Sequence, residues 1–259
     1  MTMSRLLDLD LRTGRSVIDR YLDNGYAHVR GMSSRFAGAV SAWLLVHQTE
    51  EGVRGDVVEI GTFEGRYFIA LALALADDEK ALGIDSFDWP SERTLDNFRK
   101  NCATHGARLD RIDAWKTNAS TLTAEALRDR VGAALIRFFH IDGDHSPEPL
   151  LHDLSLATAV LHPKGLICLD DMLHPAYPFL VATVRDYLEA HPDMRVMAII
   201  DREDIIGAAK FLLCRADAVP LYENALMKRY PQRHFTLGGD ALGHHCVVLT
   251  PQPRLAVVD

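Results

Sequence analysis

Short apolar runs alternate with longer helical stretches from Asp56 onward, and this alternation limits the folds open to the chain. Each of the first five runs is short enough for one buried strand. Parallel strands need a crossover of a dozen or more residues, usually a helix, and the intervening segments have that length. The pattern predicts an α/β fold with a mostly parallel sheet. The runs span residues 56–60, 81–85, 112–116, 136–141 and 165–169.

Two further apolar runs, 195–201 and 208–215, are joined by the polar link Arg202-Glu203-Asp204. This arrangement is typical of an antiparallel hairpin that closes a sheet. We therefore expect a Rossmann-like, doubly wound, mostly parallel sheet of seven strands with an antiparallel last strand. The remaining segment predicts one helix, a turn at Gly238-Gly239 and a strand at 245–250.

The chain has 259 residues, which is enough for one main domain with small additions. Residues 4–51 have apolar residues at helical spacing, with breaks at Gly25 and Gly31. We expect an N-terminal helical cap (1–52), a core (53–215) and a C-terminal helix-strand extension of the same domain (216–259).

Charge and cysteine usage exclude several functional classes. The formal net charge is -8, so the chain has no general basic surface for nucleic acid or an anionic membrane. The four cysteines lie far apart without a CxxC pair, which favours free thiols in a reducing compartment. No segment resembles a signal peptide or a membrane span. We expect a cytoplasmic protein without nucleic-acid or membrane partners.

The segment from Val57 to Arg66 has an apolar strand, a glycine-spaced turn and the start of a helix. Such a turn lets a ligand approach the backbone, and the helix start can bind an anionic group. Glu59 and Thr62 do not fit the dinucleotide fingerprint, which disfavours a nicotinamide cofactor. Asp85 ends the next run, where an acid can accept both hydroxyls of a ribose. A ligand-free turn and a helix-capping acid are the alternatives.

Acidic residues follow two later strands at the same predicted edge of the sheet. Asp142 ends one run, and Asp170 and Asp171 end the next. Three converging carboxylates would repel one another unless a cation lay between them, and oxygen ligands favour Mg2+. Solvated loop acids or helix caps are the alternative interpretation. Asp144 and His145, just after Asp142, are candidate bases.

The cofactor motifs, E-I-G-T-F-E-G-R followed by G-I-D-S-F, resemble those of class I S-adenosylmethionine-dependent methyltransferases over about residues 30–215. The resemblance implies that the first acid lies near the methionine end of the cofactor, the second acid binds the ribose, and the residues after the third strand lie beside the adenine. The implied cofactor-binding residues are Glu59, Gly61, Thr62, Phe63, Gly65, Asp85, Ser86, Asn118, Ala119, Ser120 and Asp142.

The spacing of the later acids resembles two groups within these enzymes. Asp142 is followed 28 positions later by Asp170-Asp171. Catechol O-methyltransferases have D and then D-N, whereas macrolide-sugar and aminocoumarin-sugar O-methyltransferases have D and then D-D. The second resemblance implies that Asp142, Asp170 and Asp171 bind Mg2+ or another divalent cation such as Mn2+. It also implies that His145 or Asp144 is the catalytic base.

The resulting hypothesis is a metal-dependent O-methyltransferase whose partner is a small-molecule hydroxyl acceptor, for example a sugar, a sugar nucleotide or another natural product. The alternatives are a cephalosporin hydroxylase-like or metal-free methyltransferase on the same fold, and a nucleoside-binding protein without catalysis. The acceptor pocket is expected to use residues 32–35 and the loop 87–94 with Trp89. A homodimer is the assembly hypothesis that we retain.

Overall fold

The computed structural model describes residues 11–131, 135–236 and 242–253. In this part of the chain all strands join one nine-stranded sheet with the order β3-β2-β1-β4-β5-β7-β6-β9-β8. The strands are β1 Asp56–Ile60, β2 Ala81–Asp85, β3 Ile112–Lys116, β4 Ile136–Ile141, β5 Leu161–Met172, β6 Met194–Ile200, β7 Ala209–Arg215, β8 His234–Thr236 and β9 Val247–Leu249.

Helices cover both faces of this sheet. The α-helices are α1 Ser16–Asn24, α2 Arg35–Glu50, α3 Arg66–Ala72, α4 Thr94–Thr104, α5 Ala124–Val131, α6 Pro147–Val160, α7 Phe179–Ala190 and α8 Val219–Arg229. Short 3-10 helices span Tyr26–His28, Leu109–Arg111, Ala119–Thr121 and Ala216–Ala218. The buried apolar side chains form two clusters, as expected for a sheet that is covered by helices on both sides.

The parallel half of the sheet brings several strand ends to one edge. All five residues of β1 are buried, as expected for an interior strand of a parallel sheet, and two of them, Asp56 and Glu59, are acids. Ile60 pairs with Ile84 of β2 and with Ile141 of β4, and Ile141 pairs with Leu169 of β5. Because these registers align the carboxyl ends, the loops that follow β1, β2, β4 and β5 meet at a common edge.

The antiparallel part differs from the prediction in strand number. The predicted hairpin is present as β6 and β7, and β7 lies between β5 and β6. The C-terminal segment then adds β9 beside β6 and β8 beside β9. The predicted count of seven strands is therefore wrong. With seven strands β6 would be the edge of the sheet, whereas in the structure β9 pairs with that edge.

The N-terminal helices pack against the same sheet. Most residues of α2 are buried, and its first turn is capped by Ser34, whose hydroxyl accepts a hydrogen bond from the Ala37 amide at 3.0 Å. Residues 1–10 of the predicted cap, the predicted turn at Gly238-Gly239 and residues 254–259 lie outside the described residues. All four cysteines are free and buried. Among the described residues, no helix combines the length and the apolar character that crossing a bilayer requires.

Candidate functional site

A cavity of about 750 Å³ opens at the carboxyl edge of the parallel strands. Its walls come from the loops after β1, β2, β3 and β4, from α6, and from the segment before α2. The lining residues are Arg30, Gly31, Met32, Ser33, Glu59, Ile60, Gly61, Thr62, Phe63, Arg66, Tyr67, Ile84, Asp85, Ser86, Asp88, Trp89, Thr117, Asn118, Ala119, Ser120, Asp142, Gly143, Asp144, His145, Pro149, Asp153 and Tyr177.

Gly61 lies where the turn after β1 meets the loop after β4. Its φ is +83°, and a Cβ at this position would lie 1.7 Å from the carbonyl oxygen of Asp142. The Asp142 amide in turn donates to the Ile60 carbonyl oxygen at 2.9 Å. Only glycine fits this backbone contact. The glycine turn after β1 and the loop after β4 therefore pack directly against each other.

Asp85 accepts hydrogen bonds from two loops, the turn after β1 and the loop after β2. One carboxylate oxygen accepts a hydrogen bond from the Phe63 amide at 2.7 Å, and the other accepts from the Phe87 amide at 2.7 Å. Both phenylalanines have positive φ values near 50°, a costly conformation that these hydrogen bonds stabilise. The carboxylate lines the cavity, and its remaining lone pairs can accept ligand hydroxyl groups.

Glu59 is buried at the floor of the cavity, and 1% of the residue is exposed. Its Oε1 lies 2.7 Å from His140 Nδ1, whereas Oε2 has no hydrogen-bond partner in the described structure. Burial raises the pKa of the Glu59 carboxyl group, although His140 opposes this shift. A second buried oxygen of this kind, Oδ1 of Asp153, belongs to another lining residue. Glu59 and Asp153 therefore each place a buried oxygen without a hydrogen-bond partner next to the cavity.

The acids after β4 and β5 form two groups that share Asp142. In one group, ligating atoms of His140, Asp142 and Asp170 lie within 4.8 Å of one another, and in the other those of Asp142, His145 and Asp171 do. No such group among the described residues contains both Asp170 and Asp171. Carboxylate and imidazole donors at this spacing fit a divalent cation.

Lys210 of β7 forms a buried salt bridge with Asp170. The lysine is 1% exposed, and its Nζ also lies 4.7 Å from the centroid of the Tyr67 ring. Burial alone would lower the pKa of Lys210 and raise that of Asp170, but their mutual attraction reverses both shifts. Asp170 also accepts a hydrogen bond from the Asp171 amide at 2.8 Å. Asp170 is thus already charge-compensated inside the protein.

His145 lies on the cavity side of the same cluster. Its Nε2 is 2.6 Å from Asp171 Oδ2 and 3.8 Å from Asp142 Oδ1. Contacts with these two acids raise the pKa of His145 to about 10, and burial followed by the charge of Asp170 raises that of Asp142 to about 7. The imidazole stacks on the Tyr177 ring with centroids 4.3 Å apart. Asp144 is exposed beside it.

The structure brings most of the predicted cofactor residues together at the cavity. Gly65 is not a lining residue; it has a φ of +91°, and a Cβ there would meet the Phe98 ring at 2.9 Å. Asp170 and Asp171 are not lining residues either, although Asp171 Oδ2 lies 2.6 Å from Nε2 of the lining residue His145. The predicted acceptor residues Met32 and Trp89 do line the cavity, and Trp89 packs 5.4 Å from the Phe63 ring.

Sequence reasoning did not identify His140, Asp153 or Lys210. A signal existed for Lys210, because a single lysine within the apolar run Ala208 to Cys214 is costly to bury unless it is paired. His140 gives a similar signal between Phe139 and Ile141. No feature of the sequence marks Asp153, since an acid within a helix is ordinarily exposed.

Comparisons with known proteins agree with this geometry. Residues 58–172 match a family model described as a methyltransferase domain. A comparison with curated protein sequences finds no match. The fold is similar to an O-methyltransferase from Bacillus cereus in complex with SAH, at 17% identity and a TM-score of 0.57, over 77% of this chain and 90% of that one.

Two other solved structures are similar to a comparable extent. One is the O-methyltransferase TomG from Streptomyces achromogenes, involved in tomaymycin synthesis and solved with SAM, at 20% identity and a TM-score of 0.54, over 80% of this chain and 90% of that one. The other is CalS11, a TDP-rhamnose 3'-O-methyltransferase of calicheamicin biosynthesis, at 14% identity and a TM-score of 0.56, over 83% and 96%.

Residues 58–172 match a methyltransferase domain model, and the sheet order and the cavity at the carboxyl edge of the strands agree with that match. The resemblance predicted from the sequence motifs is confirmed. At these identities, the similarity to the solved structures concerns the fold.

Proposed function

We propose that the chain transfers a methyl group from S-adenosylmethionine to a hydroxyl oxygen of a small molecule, with a divalent cation bound at the acidic end of its cavity. One observation supports this proposal above the others. A single cavity is lined by Glu59, Gly61 and Asp85 of the nucleoside side and by Asp142, Asp144 and His145 of the acidic side.

The residues of the nucleoside side fit the donor. Asp85 is held by two backbone amides with its carboxylate at the cavity wall, so it is preorganised to accept ribose hydroxyl groups. The unpartnered Oε2 of Glu59 can accept a hydrogen bond from an ammonium group at the methionine end. When bound, S-adenosylmethionine supplies an electrophilic methyl group on a sulfonium.

The residues of the acidic side fit a cation and a hydroxyl group. Asp142 would hold Mg2+ or Mn2+ because it belongs to both groups of ligating atoms, and Asp171 of the second group would join it, whereas Asp170 of the first group is already paired with Lys210. When bound, the cation supplies a Lewis acid that lowers the pKa of a coordinated hydroxyl group. Asp144 or His145 would accept the hydroxyl proton, and His145 could do so only after losing the proton that Asp142 and Asp171 stabilise on its ring. Tyr177 fixes the His145 ring by stacking.

The acceptor class is inferred from two features of the cavity. The acidic side suits a hydroxyl group, and an exposed aromatic side chain lines the opening. Trp89 is 63% exposed and lines the cavity, and an exposed aromatic ring suits stacking on a sugar or another ring. A sugar, a sugar nucleotide or a related natural product is therefore the class that we favour. The solved structure of a TDP-rhamnose 3'-O-methyltransferase makes a sugar nucleotide the first acceptor to try.

Calorimetry with S-adenosylhomocysteine, with and without MgCl2, tests the donor and the cation separately. The proposal is supported if the protein binds S-adenosylhomocysteine, and if a sugar nucleotide raises that affinity only when Mg2+ is present. Binding without any effect of the cation would favour a metal-free methyltransferase or a cephalosporin hydroxylase-like reaction, and no binding at all would remove the proposal. A mass-spectrometric screen for acceptors that gain one methyl group then separates an enzyme from a nucleoside-binding protein.

A further inference from the structure

A row of buried polar side chains crosses four neighbouring strands, with one residue from each of β1, β4, β5 and β7. Glu59 of β1 lines the cavity and is paired in register with His140 of β4. The row continues with Asp170 of β5 and its partner Lys210 of β7. Burying four such groups side by side is costly unless they are paired. The contacts within the row therefore indicate what it does.

His140 lies in the middle of this row and contacts both of its ends. Its Nδ1 is 2.7 Å from Glu59 Oε1, whereas its Nε2 is 3.5 Å from Lys210 Nζ and 3.6 Å from Asp170 Oδ2. Because an ammonium group can only donate hydrogen bonds, Nε2 is the acceptor that faces Lys210. The ring proton is then on Nδ1, so His140 donates its short hydrogen bond to Glu59.

This hydrogen bond is shielded from solvent. His140 is 0% exposed, and the Tyr67 ring packs on its imidazole with 4.3 Å between the centroids. A hydrogen bond in such an environment restrains its partners more than an exposed one. His140 itself is not a lining residue of the cavity, whereas Glu59 is. An effect of His140 on a bound ligand must therefore pass through a neighbour such as Glu59.

We propose that His140 is a positioning residue that holds the Glu59 carboxylate in the orientation that receives the ammonium group of the donor. The inference rests on the proposed function, because it requires an S-adenosyl donor in the cavity. A carboxylate that is already immobilised in the free protein does not have to be ordered when the ligand binds. Through His140, the row also connects the donor side of the cavity to Lys210 on the returning strand β7.

The test uses two variants that separate the two ring nitrogens. The amide group of asparagine lies near the position of Nδ1, and that of glutamine reaches the position of Nε2. Calorimetry compares S-adenosylhomocysteine with methylthioadenosine, which has the same nucleoside and sulfur but no amino-acid end. We expect His140→Gln to weaken binding of S-adenosylhomocysteine at least about tenfold, and His140→Asn to stay within about threefold of wild type. Methylthioadenosine should bind all three proteins within about twofold, because it has no ammonium group.

A double-variant cycle with Glu59→Gln shows whether His140 acts through Glu59. We expect His140→Gln/Glu59→Gln to bind S-adenosylhomocysteine within about twofold of Glu59→Gln, because no carboxylate remains to be positioned. Additive losses contradict the proposal. Equal losses in His140→Asn and His140→Gln also contradict it, as do losses by the same factor for both ligands, which is the pattern of a purely structural role.

A measurement on the wild type keeps the inference testable if circular dichroism shows that His140→Gln is not folded. In the nitrogen NMR spectrum of protein with labelled histidines, the His140 signals are identified by their absence from His140→Asn. They should show a proton on Nδ1 and should shift with S-adenosylhomocysteine but not with methylthioadenosine. A proton on Nε2 alone, or the same response to both ligands, overturns the inference.

The two ligands also distinguish this inference from the proposed function. If the wild type binds neither ligand, the proposed function itself fails. If it binds S-adenosylhomocysteine no more tightly than methylthioadenosine, the nucleoside side of the site remains and only the role of His140 is removed.

Discussion

Lys210 reaches Asp170 across the antiparallel pairing of β7 with β5, and the two side chains form a salt bridge with almost no exposure to solvent. The lysine sits one residue beyond Ala209, which pairs with Met172. This register brings a cation from a strand of opposite direction to the carboxyl edge of the parallel strands. The acidic cluster is therefore partly neutralised by the fold.

Replacing Lys210 by methionine should destabilise the protein, because it leaves Asp170 buried without its counter-ion. Removing one partner of a buried ion pair typically costs about 3–5 kcal/mol. Urea unfolding followed by circular dichroism measures the loss. The double variant Lys210→Met/Asp170→Asn should recover part of it, since no uncompensated charge remains. Equal losses in the single and double variants would show that the two residues are not coupled.

Asp142→Ala and Asp171→Ala should each abolish methyl transfer while the affinity for S-adenosylhomocysteine changes by less than about tenfold, or about 1.4 kcal/mol. The reason is that both acids contribute to the candidate cation site, whereas Asp85 and Glu59 contribute to the donor site. Activity is measured by mass spectrometry and affinity by calorimetry. Asp186→Ala, which removes an exposed acid on α7, is the matched control. Wild-type rates in EDTA would contradict the role of a cation.

Asp85→Ala should weaken binding of S-adenosylhomocysteine by at least about tenfold. Two effects combine, because the ribose loses its acceptor and the amides of Phe63 and Phe87 lose theirs. Asp85→Asn keeps one carbonyl oxygen but presents an NH2 group to the other amide, so its affinity should lie between those of wild type and Asp85→Ala. An unchanged affinity in both variants, measured by calorimetry, would place the ribose elsewhere.

Gly61→Ala should lower the free energy of unfolding by about 3–5 kcal/mol, because the collision of its Cβ with the Asp142 carbonyl oxygen adds to the strain of a positive φ. Gly52→Ala is the matched control. Gly52 also has a positive φ, +74°, but has nothing within 4 Å of an added Cβ, so only backbone strain of about 1–2 kcal/mol is expected. Similar losses in the two variants, compared by urea unfolding, would show that the collision is relieved by a backbone shift.

The stability of the protein without ligand should depend on pH through Asp153. Burial raises the pKa of Asp153 from 3.8 to about 7 in the folded state, so the folded state binds more protons than the unfolded state between these values. Stability contributed by this group therefore falls as pH rises through that window. Relative to Asp153→Asn, wild type should lose on the order of 2–3 kcal/mol between about pH 5 and about pH 8. A constant difference in urea unfolding would contradict this.

The parallel half of the fold was predictable because its signals are local. Each of β1, β2, β3 and β4 coincides with a predicted run, since the strands of a parallel sheet are short, mainly apolar and separated by segments long enough for a crossover helix. The glycine turn and Asp85 were also predictable, because backbone geometry at those positions restricts the residue type. A strand was predicted at 245–250, where β9 lies, but its pairing with β6 was not. The strand β8 was not predicted, because a three-residue strand has no periodicity of its own.

The side-chain pairing within the site was less predictable than its location. Strand ends placed Asp142, Asp170 and Asp171 at one edge, but the rotation of each carboxylate depends on partners distant in sequence. Lys210 is 40 positions from Asp170, and His140 is 81 positions from Glu59. A sequence of one protein contains no local pattern for such pairs. Asp153 was missed for the same reason, since its burial results from tertiary packing and no local pattern marks it.

The segment that matches the methyltransferase domain model ends at residue 172, so it includes every aspartate of the acidic cluster but not Lys210. A fragment cut at that boundary would possess the donor motifs and still carry an excess negative charge in its interior. Grafting or minimising this domain would therefore require the returning strand β7 as well. In this fold, the charge balance of the acidic cluster thus depends on a strand that lies beyond the recognisable motifs.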